Sequence, residues 1–141
     1  EIWKRVCSRV KADGCEVHPD IRLGITIETP AAAICVDQFV KEIDFVSIGS
    51  NDLAQYLMAA DRENVELDHL LSPWQPAVMR VIQHVIQVCN EYGVEVSVCG
   101  EAGGEPEYLK HLIRNGLRIV SVSKSRVDMT RLAISETMIE L

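Results

Sequence analysis

Five side chains in this sequence have the types and spacing to do chemistry together: Glu28, Asn51, Asp52, Arg62 and Cys99. Three apolar runs lead up to them. Gly24-Ile25-Thr26-Ile27 ends in Glu28. Residues 43–48 stop at Gly49-Ser50-Asn51-Asp52. Val94-Glu95-Val96-Ser97-Val98 ends in Cys99. Short apolar runs bounded by turn residues predict buried strands. In a parallel α/β protein the C-terminal strand ends converge on one rim, where ligands bind.

Each candidate has a functional and an ordinary reading. Glu28 and Asp52 are hard oxygen donors of the kind Mg²⁺ takes, with water and substrate oxygens filling its shell. They also suit two unrelated acidic caps. Asn51 and Asp52 are equally the residues of a plain helix N-cap. Arg62, after Asp61, offers the planar fork that fits phosphate, or is a solvated surface arginine. Cys99 precedes Gly100-Glu101-Ala102-Gly103-Gly104, whose glycines permit close ligand approach. It is a nucleophile, a proton donor or an inert core thiol. The four histidines, at 18, 69, 84 and 111, form no Cys-His-Asn pattern, which argues against thiol-protease chemistry. Neither GxGxxG nor GxxxxGK[ST] occurs.

The elements that must position these residues alternate regularly. Helical spacing covers residues 2–12, closed by Gly14. A strand is predicted at 23–28, a helix from Pro30 to 40, and a strand at 44–48. A short helix then begins at Asn51 or Asp52 and runs through 59. Residues 62–72 lack strong helix signals. Pro76 opens the longest helix, with Val78, Val81, Ile82, Val85 and Cys89 on one face, and Gly93 ends it. A strand at 94–99, a helix at 106–114, a strand at 118–123 and a helix at 126–140 complete the series. One helix followed by four β-α units implies parallel strands with helical crossovers. The runs look apolar throughout, as strands covered on both faces must be. Four units form either a small open sheet or half of an eight-stranded barrel, which needs roughly 250 residues when whole.

Bulk properties narrow the function. The 141 residues suit one domain, and 48% hydrophobic with 25% charged residues is a globular composition. A net charge of −7 argues against a nucleic-acid surface. No apolar run reaches the ~20 residues of a membrane span. Five cysteines, an odd number without CxxC spacing, and no leader-like segment predict free thiols in a reducing, cytoplasmic setting.

Longer segments carry a resemblance. Thr26-Ile27-Glu28-Thr29-Pro30-Ala31-Ala32-Ala33, residues 44–56 (DFVSIGSNDLAQY), Asp61-Arg62 and Cys99-Gly100-Glu101 resemble enzyme I of the bacterial phosphoenolpyruvate:sugar phosphotransferase system. The wider family includes pyruvate phosphate dikinase and phosphoenolpyruvate synthase. The resemblance implies the C-terminal half of a phosphoenolpyruvate-binding (β/α)₈ TIM barrel. It implies Mg²⁺ ligation by Glu28 and Asp52, a substrate contact at Asn51, a phosphate clamp at Arg62, and Cys99 as the acid that protonates the enolate to pyruvate. It further implies a homodimer, and a histidine phosphocarrier protein reached through a phosphohistidine domain lying outside this sequence. The expected activity is that of a phosphoenolpyruvate-protein phosphotransferase feeding sugar uptake, with the fragment inactive alone. The alternatives are a fragment of a dikinase or synthase, and a non-catalytic half-barrel for dimerisation or regulation. Two stretches depart from the family's usual pattern: Ser72-Pro73-Trp74-Gln75-Pro76, and Arg118 to Lys124 at the last strand.

Overall fold

The computed structural model describes residues 1–140. Four strands, β1 (Gly24–Ile27), β2 (Phe45–Gly49), β3 (Glu95–Cys99) and β4 (Ile119–Val120), form one parallel sheet in the order β1-β2-β3-β4. Seven α-helices join or flank them among the described residues: α1 (Ile2–Ala12), α2 (Pro30–Ile34), α3 (Val36–Phe39), α4 (Ser50–Met58), α5 (Pro76–Glu91), α6 (Pro106–Arg114) and α7 (Val127–Glu140). Sequential strands that are also spatial neighbours, each followed by a helix, have the topology of a partial (β/α)₈ barrel. The predicted fold class is therefore observed.

Three elements differ from expectation. The helix after Pro30 is two short helices, broken at Cys35, whose backbone N–H bonds back to the Ala31 carbonyl. Residues 62–72 contain a 3-10 helix, Val65–Leu70, started by the Asn64 side chain, which accepts from Glu66 N–H. The last strand is only Ile119–Val120, extended by one bond from Ser121 N–H to the Val98 carbonyl.

The strands also alternate, contrary to the reading that both faces are apolar. Ile27, Val46, Ile48, Val96 and Val98 are buried beneath the helices. Thr26, Ser47, Ser97 and Cys99 stand on the opposite face. Side chains two apart share a face, so this is the strict period of a strand covered on one side. The core under the helices is continuous. Ala33 and Val36 meet Leu53 and Ala54, the α5 stripe Val78, Ile82, Val85, Ile86 and Cys89, and Tyr108, Leu109 and Leu112 from α6. No helix among the described residues is long and apolar enough to cross a membrane.

Burial sets the ionisation of two core groups. It pushes the Cys89 thiol up from its ordinary 9.0 to about 11. Tyr108 rises from 10.0 to about 12, first by burial and second by the nearby Glu105 carboxylate. The unfolded chain ionises both groups at lower pH than the folded one. Their contribution is full below about pH 9 and is lost as pH rises toward 11 and beyond. The urea midpoint is therefore expected to fall between pH 8.5 and 11. Cys89→Ala, though less stable from lost packing, should show a flatter decline. Equal slopes would show that Cys89 is not involved.

Candidate active site

The site lies at the C-terminal ends of β1, β2 and β3, and one sheet row organises it. Gly49 pairs with Cys99 in the parallel register. Glu28 lies on the other side of Gly49, because a Cβ placed on Gly49 would meet Glu28 Cγ at 2.6 Å and Oε1 at 2.9 Å. Glu28 and Cys99 thus flank a residue with no side chain. Among the described residues the Glu28 carboxylate has no hydrogen-bond or ion-pair partner.

Cys99 is held by β2. Its S–H donates to the Ile48 carbonyl at 3.4 Å, and Ser47 Oγ donates to Cys99 Sγ at 3.3 Å. The thiol is half-buried rather than enclosed in the apolar core. That placement separates it from Cys89, the thiol buried in the core under the helices.

The strand-to-helix junction explains Asn51 and Asp52. Helix α4 begins at Ser50, with Gly49 as N-cap and no side-chain capping bond. The capping role open to Asn51 and Asp52 is not used. Buried Ser50 donates its hydroxyl to the Cys99 carbonyl at 2.9 Å, fastening α4 to the end of β3. Asn51 Oδ1 accepts from Glu101 N–H at 3.2 Å, so its amide NH₂ is the group left to donate elsewhere. Gly100 makes this possible. Its φ is +102, and a Cβ there would lie 2.5 Å from Ser50 Oγ and 2.9 Å from Asn51 Oδ1.

Asp52 pairs with Arg62 at 3.0 Å, both side chains partly exposed. Arg62 is brought back to α4 by its own N–H, which donates to Gln55 Oε1. Two open clefts meet at Asn51 and Glu101. One, of about 440 Å³, is lined by Arg62, Asp68, Ser72 and Pro73. The other, of about 560 Å³, is lined by Gly104, Ser121, Ser123 and Arg126. The loop carrying Arg62 is pinned at its far end by Trp74, whose indole N–H donates to Glu105 at 2.9 Å and whose ring meets Tyr108 edge-on at 5.0 Å.

All five predicted residues therefore lie at one end of the sheet. No group of three or more His, Cys, Asp and Glu side chains converges among the described residues. The remaining donor set is two carboxylates, Glu28 and Asp52, and Mg²⁺ needs no more than one or two from protein. Unpartnered Glu28, beside the space left by Gly49, fits such an ion. Ser47, Glu101 and Arg126 were missed from sequence. Ser47 was signalled only by its hydroxyl at period two with Phe45 and Gly49, and Arg126 by nothing beyond its charge.

Residues 1–139 match the family described as PEP-utilising enzyme, PEP-binding domain. The chain belongs to this family. Among its curated relatives, phosphoenolpyruvate synthase of Pyrococcus furiosus is 43% identical over 94% of the chain and 16% of that protein. Phosphoenolpyruvate-protein phosphotransferase of Streptococcus equinus is 44% identical over 92% of the chain and 22% of that protein. The PEP-binding domain thus spans less than a quarter of the relatives it matches. A citrate lyase from Burkholderia xenovorans, 17% identical, superposes with a TM-score of 0.61 over 91% of this chain and 42% of that one. At that identity the likeness speaks for the fold alone.

The gap at Gly49 generates a test of the PEP-binding domain in its full-length protein. Gly49→Ala should displace Glu28 while leaving the backbone unstrained, since φ is −80. The expected result is a higher Mg²⁺ requirement with a thermal midpoint close to that of the wild type, measured by Mg²⁺ titration and calorimetry. An unchanged Mg²⁺ response would detach Glu28 from any metal.

Proposed function

We propose that this domain binds phosphoenolpyruvate and carries its conversion to pyruvate within a longer phosphoenolpyruvate-protein phosphotransferase. The observation that carries this reading is the row Glu28–Gly49–Cys99, with Asn51 and the Asp52–Arg62 pair beside it. It gathers two carboxylates, a guanidinium, an amide donor and a thiol proton at the C-terminal end of one sheet.

The chemistry follows from the charges that develop. When the phosphoryl group leaves the enol oxygen, negative charge appears on the phosphoryl oxygens and on the enolate. Glu28 and Asp52 would hold Mg²⁺, which supplies positive charge at those oxygens. Arg62 is already within reach of Asp52. A partly exposed ion pair is worth only about 0–1 kcal/mol, so Arg62 can exchange that carboxylate for a phosphate at little cost. The free NH₂ of Asn51 donates to a substrate oxygen. Cys99 then gives its proton to the methylene carbon. The S–H bond breaks, a C–H bond forms from the enolate π electrons, and the sulfur keeps the bonding pair. Ser47 O–H, already directed at that sulfur, stabilises the thiolate left behind.

In this reading a separate phosphohistidine domain and a histidine phosphocarrier protein receive the phosphoryl group, in the cytoplasm, and the enzyme is a homodimer. A second reading is phosphoenolpyruvate synthase, which 43–45% identity to three Pyrococcus proteins favours. The same site serves both, since protonation of an enolate is reversible. Full-length protein given phosphoenolpyruvate and a histidine phosphocarrier protein should label the carrier. Labelling of phosphoenolpyruvate from ATP and pyruvate instead would select the synthase.

Cys99→Ala in the full-length enzyme should slow pyruvate release by roughly 10²–10⁴-fold, the usual worth of a positioned acid. Phosphoenolpyruvate affinity, by titration calorimetry, should change less than about threefold, because the charged groups remain. Lost affinity with intact protonation would reverse the assignment of Cys99.

A further inference from the structure

Arg126 has no part in the mechanism above, yet it lines the larger of the two clefts. It ends a short 3-10 helix, Lys124–Arg126, just before α7, and shares its cleft with Asn51 and Glu101. One of its N–H groups donates to the Gly104 carbonyl at 3.1 Å, which fixes the stem against the glycine turn. Gly104 admits that approach, since a Cβ there would already touch Arg126 Cγ and Cδ at 3.6 Å. A guanidinium has five N–H donors in a planar fork. The others have no partner among the described residues, and Arg126 has no carboxylate partner there. In this it differs from Arg22, paired with Glu95, and Arg62, paired with Asp52. The hydroxyls of exposed Ser121 and Ser123 line the same cleft. In a chain of net charge −7, this is an uncompensated cation beside two hydroxyls in a concave opening.

The geometry points to an oxyanion-binding function for Arg126: its fork, with the Ser121 and Ser123 hydroxyls, takes one anionic end of the substrate while Arg62 takes the other. This rests on the reading of the domain as a phosphoenolpyruvate site, because the substrate must carry two anionic groups. Arg62 and Arg126 lie in clefts that share Asn51 and Glu101, so a small dianion placed at Asn51 meets a guanidinium on each side. With the phosphoryl group at Arg62, the group assigned to Arg126 is the carboxylate, which pyruvate retains.

The test uses the full-length enzyme with Arg126→Gln, and with Ser123→Glu as a second variant. Ser123→Glu puts a carboxylate in the cleft without touching the bond to Gly104. Steady-state kinetics with phosphoenolpyruvate are combined with inhibition by pyruvate and by inorganic phosphate. Both variants should raise KM for phosphoenolpyruvate by roughly 10- to 100-fold, the worth of one charge-assisted contact. The turnover number kcat should change little, because the contact is made equally in ground and transition states. A parallel rise in the pyruvate inhibition constant, with phosphate inhibition unchanged, assigns the carboxylate. The reverse pattern, with phosphate inhibition weakened and pyruvate inhibition unchanged, overturns the assignment. An unchanged KM in both variants, or a fall in kcat and thermal midpoint with KM unchanged, overturns the inference and leaves Arg126 a brace for the glycine turn. Should Arg126→Gln fail to fold, Ser123→Glu decides alone by the same readings. If the wild type neither binds nor turns over phosphoenolpyruvate, the functional reading falls first and this inference with it. If the wild type is active and the variants match it, only the role of Arg126 falls.

Discussion

The rim of this domain depends on one close approach, that of Gly100 to the first turn of α4. A left-handed backbone there, at φ +102, lets the Cys99 carbonyl meet Ser50 Oγ and the Glu101 N–H meet Asn51 Oδ1. Any side chain at 100 would occupy the space of those two atoms, and the left-handed region is costly for L-residues besides. Two bonds, one from each strand end, join β2–α4 to β3 and fix three groups together: the Cys99 thiol, the Asn51 amide and the glycine turn. Had Asn51 spent its oxygen on capping α4, the amide orientation would have been set by its own helix rather than by β3. The Gly49 N-cap frees it for that cross-strand duty.

Electrostatics at the rim are balanced but loosely bound. Asp52 and Arg62 neutralise one another across half-exposed side chains, where water screens the pair and the attraction is small. Glu28 stands unpaired nearby. Charges held in such exposed contacts exchange partners at little cost, whereas a buried ion pair would resist opening. The deep core is arranged the other way. Cys89, in the aliphatic core, and Tyr108, against Trp74 and near Glu105, have their pKa values raised, first by burial, and stay neutral. One chain thus carries two half-layers of different character, separated by a sheet whose residues alternate between them.

Trp74 lies in a stretch that departs from the family's usual pattern, and there its indole N–H donates to Glu105 and its ring packs on Tyr108. The loop bearing Arg62 is therefore tied to the start of α6 by an aromatic contact and a hydrogen bond rather than by charge.

The amino-acid sequence alone determined the order of elements, the parallel sheet and the five reactive side chains at its C-terminal end. Those follow from local rules: apolar runs of strand length, Pro at helix starts, Gly at helix ends, and β-α alternation. Legibility stopped where the answer depended on contacts between distant segments. Whether Asn51 capped a helix or bridged to Glu101 could not be read from its neighbours, because both roles need the same short amide. Whether Cys99 was core or rim depended on its pairing with Gly49, fifty residues away. The one-sided burial of the strands was written in Thr26, Ser47 and Ser97 at period two, but the surrounding valines and isoleucines masked it. Arg126 carried no motif, and only its hydrogen bond to the Gly104 carbonyl, made from the short 3-10 helix before α7, placed it in the cleft. Tertiary structure decided these points because a side chain's role is set by what the sheet register and the crossovers bring to it, and neither is a local property of the chain.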